Sequence, residues 1–252
     1  MLKRLLIVTA FAGVSLGVWV AHIRAARSPM RGLPTTTLWA WQRPENLKFL
    51  DTQKSAVAVL AATITLANPE PKVEHRVQPI SMPKAARHMA VFRIEAPRQV
   101  DLTEQMRHRT AYEVCEHSDY SHPSAVQIDF DATASQRDFY RALLKDVRAC
   151  LPKDTPLSIT ALVSWCEGDD WIADLPIDEA VPMYFRMGVD TQNIRRSHWD
   201  VSHLHEPLCR NSVGVSLDEP WPRFDYGVRV YAFAPSAWTE SDYHHLLERL
   251  AR

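Results

Sequence analysis

Eight stretches of the chain carry the hydrophobic pattern of β-strands. Ala125-Val-Gln-Ile-Asp-Phe-Asp131 shows it most plainly, with Gln127, Asp129 and Asp131 on one face and Val126, Ile128 and Phe130 on the other. Ser55 to Leu66 is a near-continuous apolar and Thr run, the mark of a strand buried on both faces. The remaining strands are predicted over Thr35–Trp41, His88–Glu95, Pro156–Trp165, Glu179–Arg186, Val213–Glu219 and Gly227–Phe233. Pro182 counts against a central position for the sixth, because proline cannot donate to a ladder.

Most of the connections are helix-length. Pro44 opens a short helix through Leu47 and Leu50, and a second helix is predicted from Asp101 to His117. Asn68 to Arg87 holds four prolines and no helical period, so a loop or extended excursion is expected there. Ser135, with Asp138 three residues on, resembles a capping box. Phe139, Leu143, Val147 and Cys150 then keep helical spacing until Pro152. Asp190 to Arg210 is a partly helical connection. Thr239 caps a last helix with Tyr243, Leu246, Leu247 and Leu250 in one stripe.

Strands alternating with such connections call for a parallel sheet, and eight units with a closing helix call for a single (β/α)8 TIM-type barrel, degenerate at some helices. The 252 residues suit that size. A doubly wound open sheet is the runner-up, but no Gly-x-Gly-x-x-Gly follows the first strand. Seven glycines leave little room for a phosphate-cradling loop, so no nucleotide cofactor is expected. The barrel domain is assigned to residues 35–252 and a linker to residues 28–34.

Residues 1–27 read as a signal peptide or membrane anchor. Lys3 and Arg4 precede the uncharged, mostly apolar run Leu5 to Ala21. His22, Arg24 and Arg27 follow at once and spoil a cleavage site, which favours an uncleaved anchor in the inner membrane or an inefficiently cleaved signal. The rest of the chain is then expected on the periplasmic side or secreted. Cys115, Cys150, Cys166 and Cys209 are too widely spaced for a thiolate metal site. They leave one or more disulfides, in three possible pairings, and buried free thiols equally open. A net charge of −1 offers no field for nucleic acid.

In a barrel of this kind the C-terminal strand ends form the active face. Those ends carry Trp39, Trp41 and Glu45, then Arg93 and Glu95, Asp129 and Asp131, Ser164 and Trp165, Met183 and Arg186, Asp218 and Glu219, and Tyr231. Carboxylates beside aromatic faces suit a carbohydrate ligand and hydrolysis of a glycosidic bond. In that reading Asp131 is base or nucleophile, Glu219 or Glu95 the acid, and Asp129 a tuning partner. Trp39, Trp41, Glu45, Arg93, Trp165, Arg186, Asp218 and Tyr231 would bind substrate. The competing reading is a non-catalytic module that binds a carbohydrate or an envelope protein. A third is a metal-dependent phosphoesterase built on Asp129, Asp131 and Asp218. The histidines lack metal spacing, and Ser164 lacks a nucleophile elbow, so no resident metal or serine chemistry is expected.

Five blocks carry a family resemblance: Trp39-Ala-Trp-Gln-Arg-Pro-Glu-Asn-Leu47, Gln127-Ile-Asp-Phe-Asp-Ala132, Leu157-Ser-Ile-Thr-Ala-Leu-Val-Ser-Trp-Cys166, Glu179-Ala-Val-Pro-Met-Tyr-Phe-Arg-Met-Gly188 and Ser216-Leu-Asp-Glu-Pro220. Together they resemble an uncharacterised bacterial family, domain of unknown function 3142, over residues 35 to 238. The resemblance implies a barrel and no particular activity. More distantly, the fourth strand is similar to the Asp-x-x-Asp-x-Asp-x-Glu strand of chitinase-type glycoside hydrolases. Asp129 and Asp131 match its second and third aspartates. Val126 replaces the first, and Thr133 stands where the proton-donating glutamate belongs. Substrate-assisted chitinase chemistry therefore does not carry over.

Overall fold

A computed structural model of the chain describes residues 29–251, apart from Arg98, Asp169 and His198. The predicted anchor, residues 1–27, lies outside the described residues. Among the described residues no helix is long and apolar enough to cross a membrane.

Eight parallel strands close into a barrel: β1 (Thr36–Ala40), β2 (Ser55–Thr65), β3 (His88–Glu95), β4 (Ala125–Asp129), β5 (Leu157–Leu162), β6 (Glu179–Met183), β7 (Ser212–Ser216) and β8 (Arg229–Phe233). Closure is made by β1, which pairs β8 through Thr36↔Val230 and β2 through Thr36↔Ser55. The expectation of a closed barrel holds. The proline expected to trouble the sixth strand sits in the barrel wall. Pro182 keeps its register with Ala161 of β5, while pairing to β7 shrinks to Gly214↔Met183.

Alternation sorts the side chains into two cores. Outward-facing Val126, Ile128 and Phe130 join the helices in the larger one. The smaller core fills the barrel interior with Trp39, Ala56, Ala58, Leu60, Met89, Val91, Val181 and Tyr231. Ala58 lies in register with Trp39, and the small side chain leaves room for the indole. Gly214 makes room in the same way, since a Cβ built there would lie 2.5 Å from the Met183 sulfur. At the floor of the barrel the buried Arg229 donates to the carbonyls of Met30, Leu33 and Pro34, so the chain entering the domain plugs the N-terminal end.

The helices are α1 (Glu104–Ser121), α2 (Arg137–Cys150), α3 (Val163–Glu167), α4 (Thr191–Ser197) and α5 (Glu240–Leu250). α1 begins three residues later than expected, and Thr103 caps it by accepting from Met106 N. The box before α2 is built by Thr133 and Gln136 around a 3-10 turn, in place of Ser135 and Asp138. Thr239 and Asp242 cap α5 as expected for Thr239, and Tyr243 and Leu246 are its buried stripe. The helix expected after Pro44 is absent. Glu45–Asn46 pairs instead with Ile80–Ser81, and Lys72–His75 adds an antiparallel strand to the end of β2. Two disulfides settle the cysteines: Cys115–Cys150 joins α1 to α2, and Cys166–Cys209 joins α3 to the turn before β7.

Candidate functional site at the barrel mouth

The C-terminal strand ends surround a cavity of about 530 Å³. Nine of the residues selected from sequence line it: Trp39, Trp41, Arg93, Glu95, Asp129, Asp131, Ser164, Met183 and Arg186.

The polar side is built by β3 and β4 around one guanidinium. Arg93 donates from Nη1 to Asp129 Oδ2 at 2.9 Å and from Nη2 to Asp131 Oδ2 at 3.4 Å, and its Nε lies 3.6 Å from Glu95 Oε1. Adjacent strands make this possible, because Arg93 and Asp129 are in register. The second oxygen of Asp129 accepts from Thr160 Oγ1 at 2.8 Å. Asp129 is thus nearly buried and bonded on both oxygens, whereas Asp131, beyond the end of β4, has 56% of its side chain exposed. Partial burial and the neighbouring Asp129 charge raise the Asp131 carboxyl above its ordinary value, against the pull of Arg93. The three carboxylates in turn raise the Arg93 guanidinium despite its burial.

The apolar side comes from β1, from β6 and the segment after it, and from β8. Trp39 forms the buried floor, with Trp41, Phe185 and Phe233 at ring centroids 6.2–6.5 Å from it. Phe185 and Phe233 stack at 5.5 Å. Met183 and Met187 complete this side. Arg186 stands on it with φ at 51°, a left-handed backbone that costs a non-glycine residue about 1–2 kcal/mol. Its N–H donates to Glu219 Oε1 at 3.0 Å, and its guanidinium lies 5.0 Å from the Phe233 ring centroid.

Beneath the floor runs a buried polar chain. Trp39 Nε1 donates to Gln127, Gln127 to Ser158, and Ser158 to Glu179, which also accepts from Tyr231 and Arg229. Burial raises the Glu179 carboxyl, with Arg229, Tyr231 and Ser158 opposing. The chain fixes the indole that forms the floor.

The structure corrects the placement of five residues. Tyr231 is fully buried below the floor. Trp165 turns into the helical layer because α3 begins at Val163, and it packs on Trp171 at 4.9 Å. Glu45 is buried and accepts from Arg43 Nε and Trp238 N, so it braces the loop after β1. Asp218 accepts from Ser216 Oγ away from the cavity. Glu219 holds Arg186 N and pairs with Arg195 at 3.7 Å, so it is not placed as an acid inside the cavity. Thr133 is exposed and spent on its turn.

Gln42, Thr63, Leu162, Val163, Phe185, Met187, Ile194 and Phe233 also line the mouth and were not selected from sequence. Thr160 was missed too, although Ser158 and Thr160 alternating on an otherwise apolar strand mark an inward polar face. Asp218 does not join Asp129 and Asp131, and among the described residues no group of three or more His, Cys, Asp or Glu is placed to hold a metal ion. The three-aspartate reading therefore loses its cluster.

No family model matches the chain, that of the uncharacterised family included, and no curated protein does. Among solved structures, the chitinase domain of the spore coat protein CotE from Clostridium difficile is similar at 14% identity and a TM-score of 0.41. The match covers 59% of this chain and 49% of that one, so the chain spans about half the length of the structure it matches.

Proposed function

We propose that the barrel mouth binds a carbohydrate outside the cytoplasm. The observation that carries this reading is the division of the cavity into two unlike sides. Arg93, Asp129, Asp131 and Glu95 offer donors and acceptors from β3 and β4, while Trp41, Met183, Phe185 and Met187 offer an apolar surface from β1 and from β6 and the segment after it. A sugar ring has the same two-sidedness, with hydroxyls at its edge and C–H groups on its faces, and aromatic walls suit the latter. Two disulfides and the apolar run at Leu5 to Ala21 support an oxidising, envelope-side location.

Hydrolysis is the second reading, favoured by the raised Asp131 carboxyl. A general acid must hold its proton near neutral pH, so the direction of that shift suits Asp131 as acid better than as base or nucleophile. A mechanism with two opposed carboxylates finds little support, because Glu95, Asp129 and Asp131 all lie on Arg93. The test uses purified protein and its Asp131→Asn variant on a panel of envelope and storage polysaccharides, following retention and release of reducing ends. Retention by both proteins without release is the expected result. Release by wild type alone establishes the hydrolytic reading, and no retention of any glycan overturns both.

A further inference from the structure

The two cations at the mouth are in unlike states. Arg93 is shared by three carboxylates at 2.9, 3.4 and 3.6 Å. Arg186 makes no ion pair among the described residues, although Glu219 accepts from its backbone N–H at 3.0 Å. Its guanidinium is exposed, lines the cavity and rests beside Phe233. Arg43, the other arginine near that ring, is consumed by Glu45 and by the carbonyls of Ala234 and Pro235. Arg195 is likewise paired, with Glu219.

Several features hold Arg186 where it is. Its left-handed backbone is pinned by Glu219, and Glu219 is itself held by Arg195. A strained residue persists only where its surroundings over-determine it, and such positions cluster at ligand clamps. Ring contact limits the rotamers of the guanidinium, so less freedom is lost when it engages a ligand. A planar fork without an anion, held at the edge of an apolar wall, is arranged to accept a carboxylate with two parallel N–H···O bonds.

From these observations we infer that the glycan carries a carboxylate, as in a uronic acid, and that Arg186 receives it while the sugar ring lies against Trp41 and Phe185. The inference rests on the carbohydrate reading and narrows it to acidic sugars. Position explains why the acid is tolerated in a mouth that already holds three carboxylates. Those three sit on Arg93 from β3 and β4, whereas Arg186 follows β6, two strands further round the barrel. Arg186 is a specificity-determining residue in this account, and selects acidic over neutral rings.

The experiment pairs hyaluronan, alginate and polygalacturonate oligosaccharides with their carboxyl-reduced counterparts and adds neutral chito-oligosaccharides. Binding to the purified protein is measured by calorimetry at fixed salt. At least one acidic oligosaccharide should bind about tenfold or more tightly than its reduced form, the scale of one charge-assisted hydrogen bond. Arg186→Asn, chosen because asparagine tolerates the left-handed backbone, should abolish that preference while far-ultraviolet circular dichroism stays unchanged. Arg186→Lys should retain part of it, since it keeps the charge but loses the fork. Equal or tighter binding of the reduced or neutral forms by wild type overturns the inference and leaves carbohydrate binding standing. A wild-type preference that survives in Arg186→Asn also overturns it. Failure of every oligosaccharide to bind removes the carbohydrate reading and the inference together.

Discussion

Arg93 is shared by all three carboxylates of the mouth, and its loss would be felt most by the carboxylate with least access to water. Asp129 has only 8% of its side chain exposed, and without Arg93 it would keep Thr160 as its hydrogen-bond donor. Removing one partner of a nearly buried charge costs more than the pair is worth. Arg93→Leu should therefore lower stability by about 2 kcal/mol in equilibrium denaturation. Adding Asp129→Asn should recover at least half of that, because the stranded charge goes too, and a double mutant less stable than Arg93→Leu alone would contradict this account. These residues were legible because a strand's alternation and its C-terminal end locate them. Phe185 was passed over although it lies inside the stretch predicted as the sixth strand and shares a face with Met183, because an aromatic in an apolar run reads as core. Trp165 misled because an apolar run reads alike as strand or as the first turn of a helix, and Val163 begins the helix.

Among the elements, α1 shows how little apolar surface a barrel helix needs when a covalent tie supplements it. Its buried face is Met106, Thr110, Ala111, Val114, Cys115 and Ser118, and two of these are hydroxyls donating back to carbonyls of the same helix. That explains the sparse hydrophobic signal over this stretch. The helix was still predicted, but its start was misplaced, because capping by Thr103 depends on backbone geometry that composition does not reveal. The Cys115–Cys150 disulfide binds this weak face to α2, whose own stripe of Phe139, Tyr140, Leu143, Leu144 and Val147 is strongly apolar. Pairing could not be chosen from sequence, since it depends on which helices become neighbours. The two bridges span sequence separations of 35 and 43 residues, and in the chain-entropy account loops of that size each restrict the unfolded state by about 4 kcal/mol. Reduction should accordingly lower the melting temperature by several degrees or more. Paired Cys115→Ser and Cys150→Ser replacements should reproduce a large part of the loss, read by thermal unfolding with and without reductant. An unchanged melting temperature would show that packing alone holds α1.

At the scale of the whole molecule, acid should loosen the barrel wall where β2, β3 and α1 meet. His117 of α1 stacks on His75 at 5.7 Å and meets Phe92 of β3 edge-on at 5.5 Å. Burial first, and then the charges that His75 and His88 would carry, press the His117 imidazole below its ordinary value. Burial does the same to His88, against a hydrogen bond with the Ser121 backbone. With both folded-state values lowered, the unfolded chain binds more protons once the pH falls below about 6.5. Stability from these two residues is therefore complete above that pH and is lost as the pH drops through their folded values. Asp131 and Glu179 work in the opposite sense, because their folded-state values are raised and acid relieves the cost of ionising them in place. Net slopes of the wild type mix the two effects, so the comparison that isolates the histidines is with a His88→Gln/His117→Gln variant. Melting temperatures of both proteins, followed from pH 7.5 to 5.5, should fall more steeply for the wild type. Parallel slopes would mean that the pair is protonated as readily in the folded barrel as in the open chain, and would sink the linkage.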